Sequence, residues 1–149
     1  MNEQVYIKNK RVYFDFHVLE EFTAGIKLLG TEIKSIREGK ANLTDAFCSF
    51  IDGQLYVRNL HISEYSHGSF YNHEAKRDRV LLLNKKELKK LKFRSEEKGL
   101  TITAIAIFVS ERGFAKLKIG LAQGKKTFDK RETLKQKDVS REIDRVMKR

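Results

Sequence analysis

Residues 100–123 read LTITAIAIFVSERGFAKLKIGLAQ, and how they fold decides the architecture of the chain. Both halves, LTITAIAIFVS and FAKLKIGLAQ, are rich in Ile, Val and Phe. They partly alternate apolar with polar residues, the period of two expected of a strand with one buried face. Between them stands Glu111-Arg112-Gly113, whose glycine can take the positive φ that a tight connection needs. The stretch is therefore expected to be a β-hairpin.

The same texture recurs upstream in VYFDFHVLEEF, AGIKLLG, AFCSFIDGQLYVRNLHI and RVLLL, with Asp52-Gly53 reading as a second hairpin turn. Six or seven such strands predict a mainly β fold, a closed or nearly closed antiparallel barrel, because closure removes the exposed edges that these strands would otherwise present. Two flanking helices interrupt the pattern. Asn84 can cap KKELKKLKFRSEEKG, with Leu88, Leu91 and Phe93 as its apolar edge and Gly99 as its stop. A shorter helix is expected over residues 31–38, with Thr31 as N-cap, Ile33 and Ile36 three apart, and Gly39 at its end.

The chain has 149 residues, 40% of them hydrophobic, enough for one core. One barrel domain over residues 1–123 is expected, followed by a basic tail over 124–149. The tail holds ten Lys and Arg against five Asp and Glu, a net of +5, and leaves the body at +6 of the chain's +11. A field of that sign favours polyanions, nucleic acid first, then an anionic membrane surface or an acidic protein. Val139, Ile143, Val146 and Met147 form a narrow helical stripe in the tail, which is expected to be disordered or loosely helical alone and to fold against a charged partner. No apolar run approaches the roughly 20 residues that span a bilayer, and the opening MNEQVYIKNKR has no signal-peptide core, so a cytoplasmic location is expected. A single cysteine, Cys48, sits in the apolar stretch AFCSFI and reads as a core or strand residue.

Catalytic readings find little footing. GLAQGKK has three residues between its glycines and Lys126 after Lys125, so it is no P-loop. His61, His67 and His73 recur every six residues, which is no metal-ligand spacing. No G-x-S-x-G turn is present, and Glu20-Glu21 and Glu96-Glu97 read as solvated charge. Neither catalytic residues nor metal nor cofactor are expected. A nucleic-acid reading remains: in SHGSFYNHEAKRDR, Lys76, Arg77 and Arg79 could meet phosphates while Tyr71 or His73 stacks on bases, or the loop could simply be solvated with its aromatics tucked beneath. Asn9-Lys10-Arg11 and the Lys34/Arg37 face of the short helix add to the basic surface. Single-stranded or structured RNA is favoured over duplex DNA, since no helix-turn-helix, zinc finger or basic zipper is recognisable. A general RNA chaperone, a nucleic-acid enzyme and a membrane-surface protein are the rivals; the last is disfavoured by a tail with no Trp and one Phe.

NKR near the start, AGIKLLGTEIKSIREGKANLTDAF, NHEAKRDRVLLLNKKEL, GLTI, GKKTFDKRETLK and the closing REIDRVMKR together resemble the SmpB family, the SsrA-binding proteins of bacterial trans-translation. The resemblance runs from Asn9 to Arg149 in the family's order. It implies an oligonucleotide-binding-type (OB-fold) antiparallel β-barrel with flanking helices and a basic C-terminal tail, and no enzymatic activity. It also implies binding to the tRNA-like domain of transfer-messenger RNA (tmRNA), accompanied by alanyl-tRNA synthetase and elongation factor Tu, and delivery to stalled ribosomes. A monomer is expected. Asn9 and Lys10 match the family's Asn-Lys, Leu82 and Asn84 its Leu-x-Asn, and Gly30, Glu32, Lys34, Ser35 and Arg37 its G-x-E-x-K-S-x-R signature. With His73, Arg77 and Arg79 of the basic loop, these are the expected tmRNA-binding residues. Lys125, Lys126, Phe128, Asp129, Lys130 and Arg131 are implied to enter the small-subunit decoding centre and the empty message channel, Phe128 standing where others have His or Tyr. Thr23 departs from the Glu that many members place before Ala-Gly, and Ala75 and Ala104 replace common prolines.

Overall fold

The computed structural model describes residues 5–67 and 72–125, with residues 131, 134 and 135 beyond them. Its strands are β1 (Tyr6–Lys8), β2 (Phe16–Ile26), β3 (Ala41–Asn42), β4 (Phe47–Ile51), β5 (Gln54–Arg58), β6 (His61–Ile62), β7 (Arg79–Leu82), β8 (Leu100–Val109) and β9 (Ala115–Gly124). Helices α1 (Val12–Asp15), α2 (Gly30–Arg37) and α3 (Lys85–Ser95) lie between them.

The deciding hairpin forms as its residues require. β8 and β9 pair antiparallel from Leu100↔Gln123 to Val109↔Ala115. At the tip Gly113 has φ 85° and donates to Ser110 O at 2.8 Å, while Ser110 N–H bonds Phe114 O at 2.8 Å. The Asp52-Gly53 turn joins β4 to β5 with φ 50° and 81°, the doubly left-handed turn that suits a two-residue hairpin.

Pairing then runs β8-β4-β5-β7-β2-β9 and returns to β8, every pair antiparallel, so six strands close on themselves, with β1 added beside β8. This is the expected barrel. Its interior holds Ala24, Ile26, Leu55, Val57, Ile102, Ile107, Leu117, Ile119 and Leu121, and Ile36 of α2 and Leu91 of α3 join the same core. Cys48 is in it too, where burial pushes its thiol pKa up. Shifts in register at Val18/Glu20 and Ala104/Ala106 mark β-bulges. They accompany a satellite cluster of Val12, Ile105 and Ala106, with Phe16 and Val18 against it. Gly120 lies under it: a Cβ there would sit 2.8 Å from Ile105 Cδ1 and 3.0 Å from Val18 Cγ1.

Four local expectations are corrected. VYFD is not strand but α1, because Asn9 Oδ1 accepts the Arg11 N–H and starts a turn that Asp15 N–H closes on Arg11 O at 2.9 Å. AGI is not a separate strand but the end of β2, continuous through Gly25. Helix α2 is capped from Leu29 rather than Thr31, with Glu32 reaching back to the Leu29 N–H at 2.8 Å. It ends at Gly39 as expected, with Lys40 N–H on Ser35 O and Gly39 N–H on Ile36 O. Asn84 does cap α3, accepting from Glu87 N–H at 2.8 Å, but Phe93 stands two residues round the helix from Leu91 and is 72% exposed. Strand β9 runs through Gly124, and Lys125 N–H bonds Asp15 O.

Candidate nucleic-acid interface

The centre of the candidate site is internal. Glu32 and Arg79 have no exposed surface, and Arg79 Nε donates to Glu32 Oε2. Arg77 Nη2 donates to Glu32 Oε1 at 2.6 Å, and Arg79 Nη1 to Leu60 O at 2.7 Å. One carboxylate thus ties α2 to the segment before β7 and to the start of β7 at Arg79, which in turn holds the connection between β5 and β6 at Leu60. Burial opposes ionisation of Glu32, but the Arg77 and Arg79 guanidiniums and the Leu29 N–H outweigh it and hold its pKa below the ordinary carboxylate range. Arg79 is pulled down by burial and held charged by Glu32.

Two further expected RNA residues also face inward. His73 is buried, with Nδ1 2.8 Å from Thr31 Oγ1 and Nε2 2.9 Å from Ile62 O. The carbonyl can only accept, so Nε2 carries a proton there, and Nδ1 pairs with the Thr31 hydroxyl. Asn9 is buried and donates from Nδ2 to Leu43 O at 3.1 Å and to Ala104 O at 3.0 Å. Asn9, Glu32, His73 and Arg79, all expected among the RNA-binding residues, are therefore buried, with polar atoms engaged by internal partners.

Most of the other expected residues lie at the surface. Lys10, Lys34, Arg37, Lys76 and Asn84 are exposed, Arg77 is partly so, and Leu82 is 51% exposed. Lys34 Nζ lies 5.5 Å from the Tyr65 ring, and Arg37 Nη2 lies against Gly113 at the β8–β9 turn. Fixed cations on a capped helix can track phosphates. Lys125 is tied to the body, its Nζ donating to Tyr13 O at 2.8 Å. Arg131 has helical backbone; Lys126, Phe128, Asp129, Lys130 and Tyr71 lie outside the described residues, as do the tail's expected order and stripe. Among the described residues no three His, Cys, Asp or Glu are grouped to hold a metal, and no helix is long and apolar enough to cross a membrane.

The family model described as SmpB protein matches residues 6–149. The chain belongs to the SmpB family. An SsrA-binding protein of Phocaeicola vulgatus is 56% identical over 143 residues, covering 96% of this chain and 95% of its own. That of Halalkalibacterium halodurans is 50% identical over 145 residues, covering 97% and 94%. Among solved structures, a chain from work on tmRNA-SmpB at the centre of the bacterial ribosome superposes with a TM-score of 0.71 at 46% identity, over 83% of this chain and 86% of that one.

Within this SmpB-family barrel, sequence reasoning missed a second polar network. Tyr13 Oη donates to Glu21 Oε1 at 2.8 Å, and Lys118 Nζ lies 2.9 Å from Glu21 Oε2. Hydrogen bonds from Lys118 and Tyr13 lower the Glu21 pKa, and Glu21 in turn raises that of Lys118. Thr23 sits opposite Lys118 in the β2–β9 register. Only that register brings residues so far apart in sequence together, and no local signal in the chain reveals it.

Proposed function

We propose that this chain is the protein partner of tmRNA in trans-translation. It binds the tRNA-like domain through the barrel, and its tail takes the place of the missing anticodon arm in the decoding centre and empty message channel. Tagging of the nascent chain and release of the ribosome follow. The observation that carries this reading is the match to the SmpB family across residues 6–149, joined to a fold that superposes on a chain from the tmRNA-SmpB work. The geometry supports it: the G-x-E-x-K-S-x-R segment becomes a helix whose Glu32 is locked beneath while Lys34 and Arg37 point out.

In this reading the chain acts as a monomer in the cytoplasm, without catalysis of its own, and meets elongation factor Tu and alanyl-tRNA synthetase by way of the RNA. Lys10, Lys34, Arg37, Arg77, Leu82 and Asn84 face the RNA, with Asn9, Glu32, His73 and Arg79 in support. Lys126, Phe128, Asp129, Lys130 and Arg131 serve the ribosome. The test is nascent-chain tagging in reconstituted translation on a message without a stop codon. Phe128→Ala is expected to keep affinity for tmRNA while lowering tagging, because a flat ring can stack in the decoding centre. An equal loss in both assays contradicts this division.

A further inference from the structure

A cleft of about 490 Å³ opens on the outer face of the barrel where β2, β4, β8 and β9 meet. Its floor is Thr101 and Thr103 of β8. Ile102 and Ala104 on either side of Thr103 point into the core, so both threonines face outward. Across β9 they stand opposite Ala122 and Gly120, whose side chains are too small to fill the space above them. Thr103 is 3% exposed, yet its hydroxyl has no hydrogen-bond partner among the described residues. A hydroxyl so placed is ordinarily satisfied by something.

The walls are aromatic. Phe16 starts β2 and packs against the satellite cluster, and Phe47 of β4, opposite Thr103, is 37% exposed. The rim carries carboxylates: Asp15, paired with Arg11 at 3.5 Å, and Asp45, exposed and without a cation among the described residues. A tight turn fixes Asp45, with Thr44 N–H on Asn42 Oδ1 and Ala46 N–H on Leu43 O, both at 2.9 Å. The lysine of the lining, Lys125, turns its Nζ to Tyr13 O at 2.8 Å. A phosphate would meet these acids at the mouth, so the cleft suits a ring flanked by cations rather than a nucleotide.

A segment with that chemistry comes next in the chain. Gly124 and Lys125 line the cleft, and Lys125 N–H bonds Asp15 O at 2.9 Å, so the tail leaves the barrel at the rim. Phe128 is three residues further on, at most roughly 11 Å along an extended chain. It lies in Lys126-Thr127-Phe128-Asp129-Lys130-Arg131, three cations against one acid. A short tether holds such a segment at a roughly millimolar effective concentration, so a contact too weak to join two molecules suffices.

We propose that, away from the ribosome, the tail folds back on the barrel and seats the Phe128 ring between Phe16 and Phe47 over Thr103, with its flanking lysines toward Asp45. The cleft then shields the ring that the tail carries to the decoding centre, and release from it becomes a step of ribosome entry. That consequence rests on the proposed function; the docking itself does not.

The test uses the full chain without RNA. The chain contains no tryptophan, so Phe128→Trp is a lone reporter. Its emission is expected to be blue-shifted, and its quenching by acrylamide weaker, relative to the same chain unfolded in urea. Adding Phe47→Ala or Asp45→Lys, both at exposed positions, should move emission and quenching toward the unfolded values while circular dichroism keeps the barrel signal. Salt should weaken the docking by screening Asp45. Trypsin should cleave the wild type at Lys126 and Lys130 more slowly than Phe128→Ala or Phe47→Ala, which reads the native ring where an indole proves too large. An indole quenched as in urea, together with wild-type cleavage as fast as that of the variants, overturns the docking and leaves the tmRNA reading standing. Protection that grows with protein concentration also overturns it and assigns the cleft to the tail of a second copy. The expected protection in a chain without preference for the tRNA-like domain supports the docking and overturns the parent reading alone.

Discussion

Replacing Glu32 by glutamine removes the negative charge that two guanidiniums share inside the protein. Glu32 and Arg79 are fully buried, and the carboxylate accepts from Arg79 Nε, from Arg77 Nη2 at 2.6 Å and from Leu29 N–H at 2.8 Å. The carboxamide oxygen of Glu32→Gln could still accept from Leu29, but its amide hydrogens would face guanidinium donors and leave Arg79 uncompensated. Breaking a buried pair from one side costs about 3–5 kcal/mol, against a total stability on the order of 5–15 kcal/mol for a domain. At this size roughly 3–5 °C is lost per kcal/mol, so Tm should fall by about 10–20 °C, measured by circular dichroism with urea unfolding alongside. Glu32→Leu/Arg79→Met, which removes both charges, should be distinctly more stable than either single variant. Because Glu32 has a lowered pKa when folded, its contribution is fully present above the unfolded carboxylate value near about 4.3 and is lost as pH falls through the lower folded value. Glu32→Gln should therefore flatten the acid limb of the stability profile. A cost under about 1 kcal/mol, or an unchanged acid limb, would refute the reasoning.

Asn9→Ala leaves the Leu43 and Ala104 carbonyls without their buried donor and should cost about 2–4 kcal/mol in urea unfolding; at low temperature the folded fraction should bind tmRNA within about twofold of wild type, and a specific loss of affinity would return Asn9 to the contact surface. Gly120→Ala forces a Cβ to within 2.8 Å of Ile105 Cδ1 and should cost about 1–3 kcal/mol; an unchanged urea midpoint would show that the satellite cluster yields freely. Glu21→Gln releases Lys118 from its 2.9 Å ion pair and should tighten RNA binding at low salt, an effect that fades as salt screens it; weaker binding would give Glu21 a role of its own.

Much of the barrel was legible because its signals are local. Gly53 and Gly113 sit where turns need positive φ, Asn84 where α3 needs a cap, and Cys48 among apolar neighbours. α1 was not, because the Asn9 side chain that starts it acts on the backbone, and VYFDF has the composition of a strand. The site was half legible. Lys34, Arg37 and Leu82 are exposed where motif reading put them, but charge alone does not tell a surface arginine from Arg79, which has Glu32 as partner 47 residues away. The cleft over Thr103 was invisible for the same reason: it exists only once β2, β4, β8 and β9 are in register.

The most direct test of the tmRNA reading is a salt titration of binding to the tRNA-like domain, against an unrelated folded hairpin of equal length. The full chain is measured beside a chain ending at Lys125, the last residue tied to the barrel among those described. A clear preference for the tRNA-like domain, kept by the shorter chain, is the predicted result and places recognition on the barrel. Equal affinity for both RNAs, lost on truncation with a steep salt slope, would make the tail a nonspecific polyanion binder and contradict the proposed function.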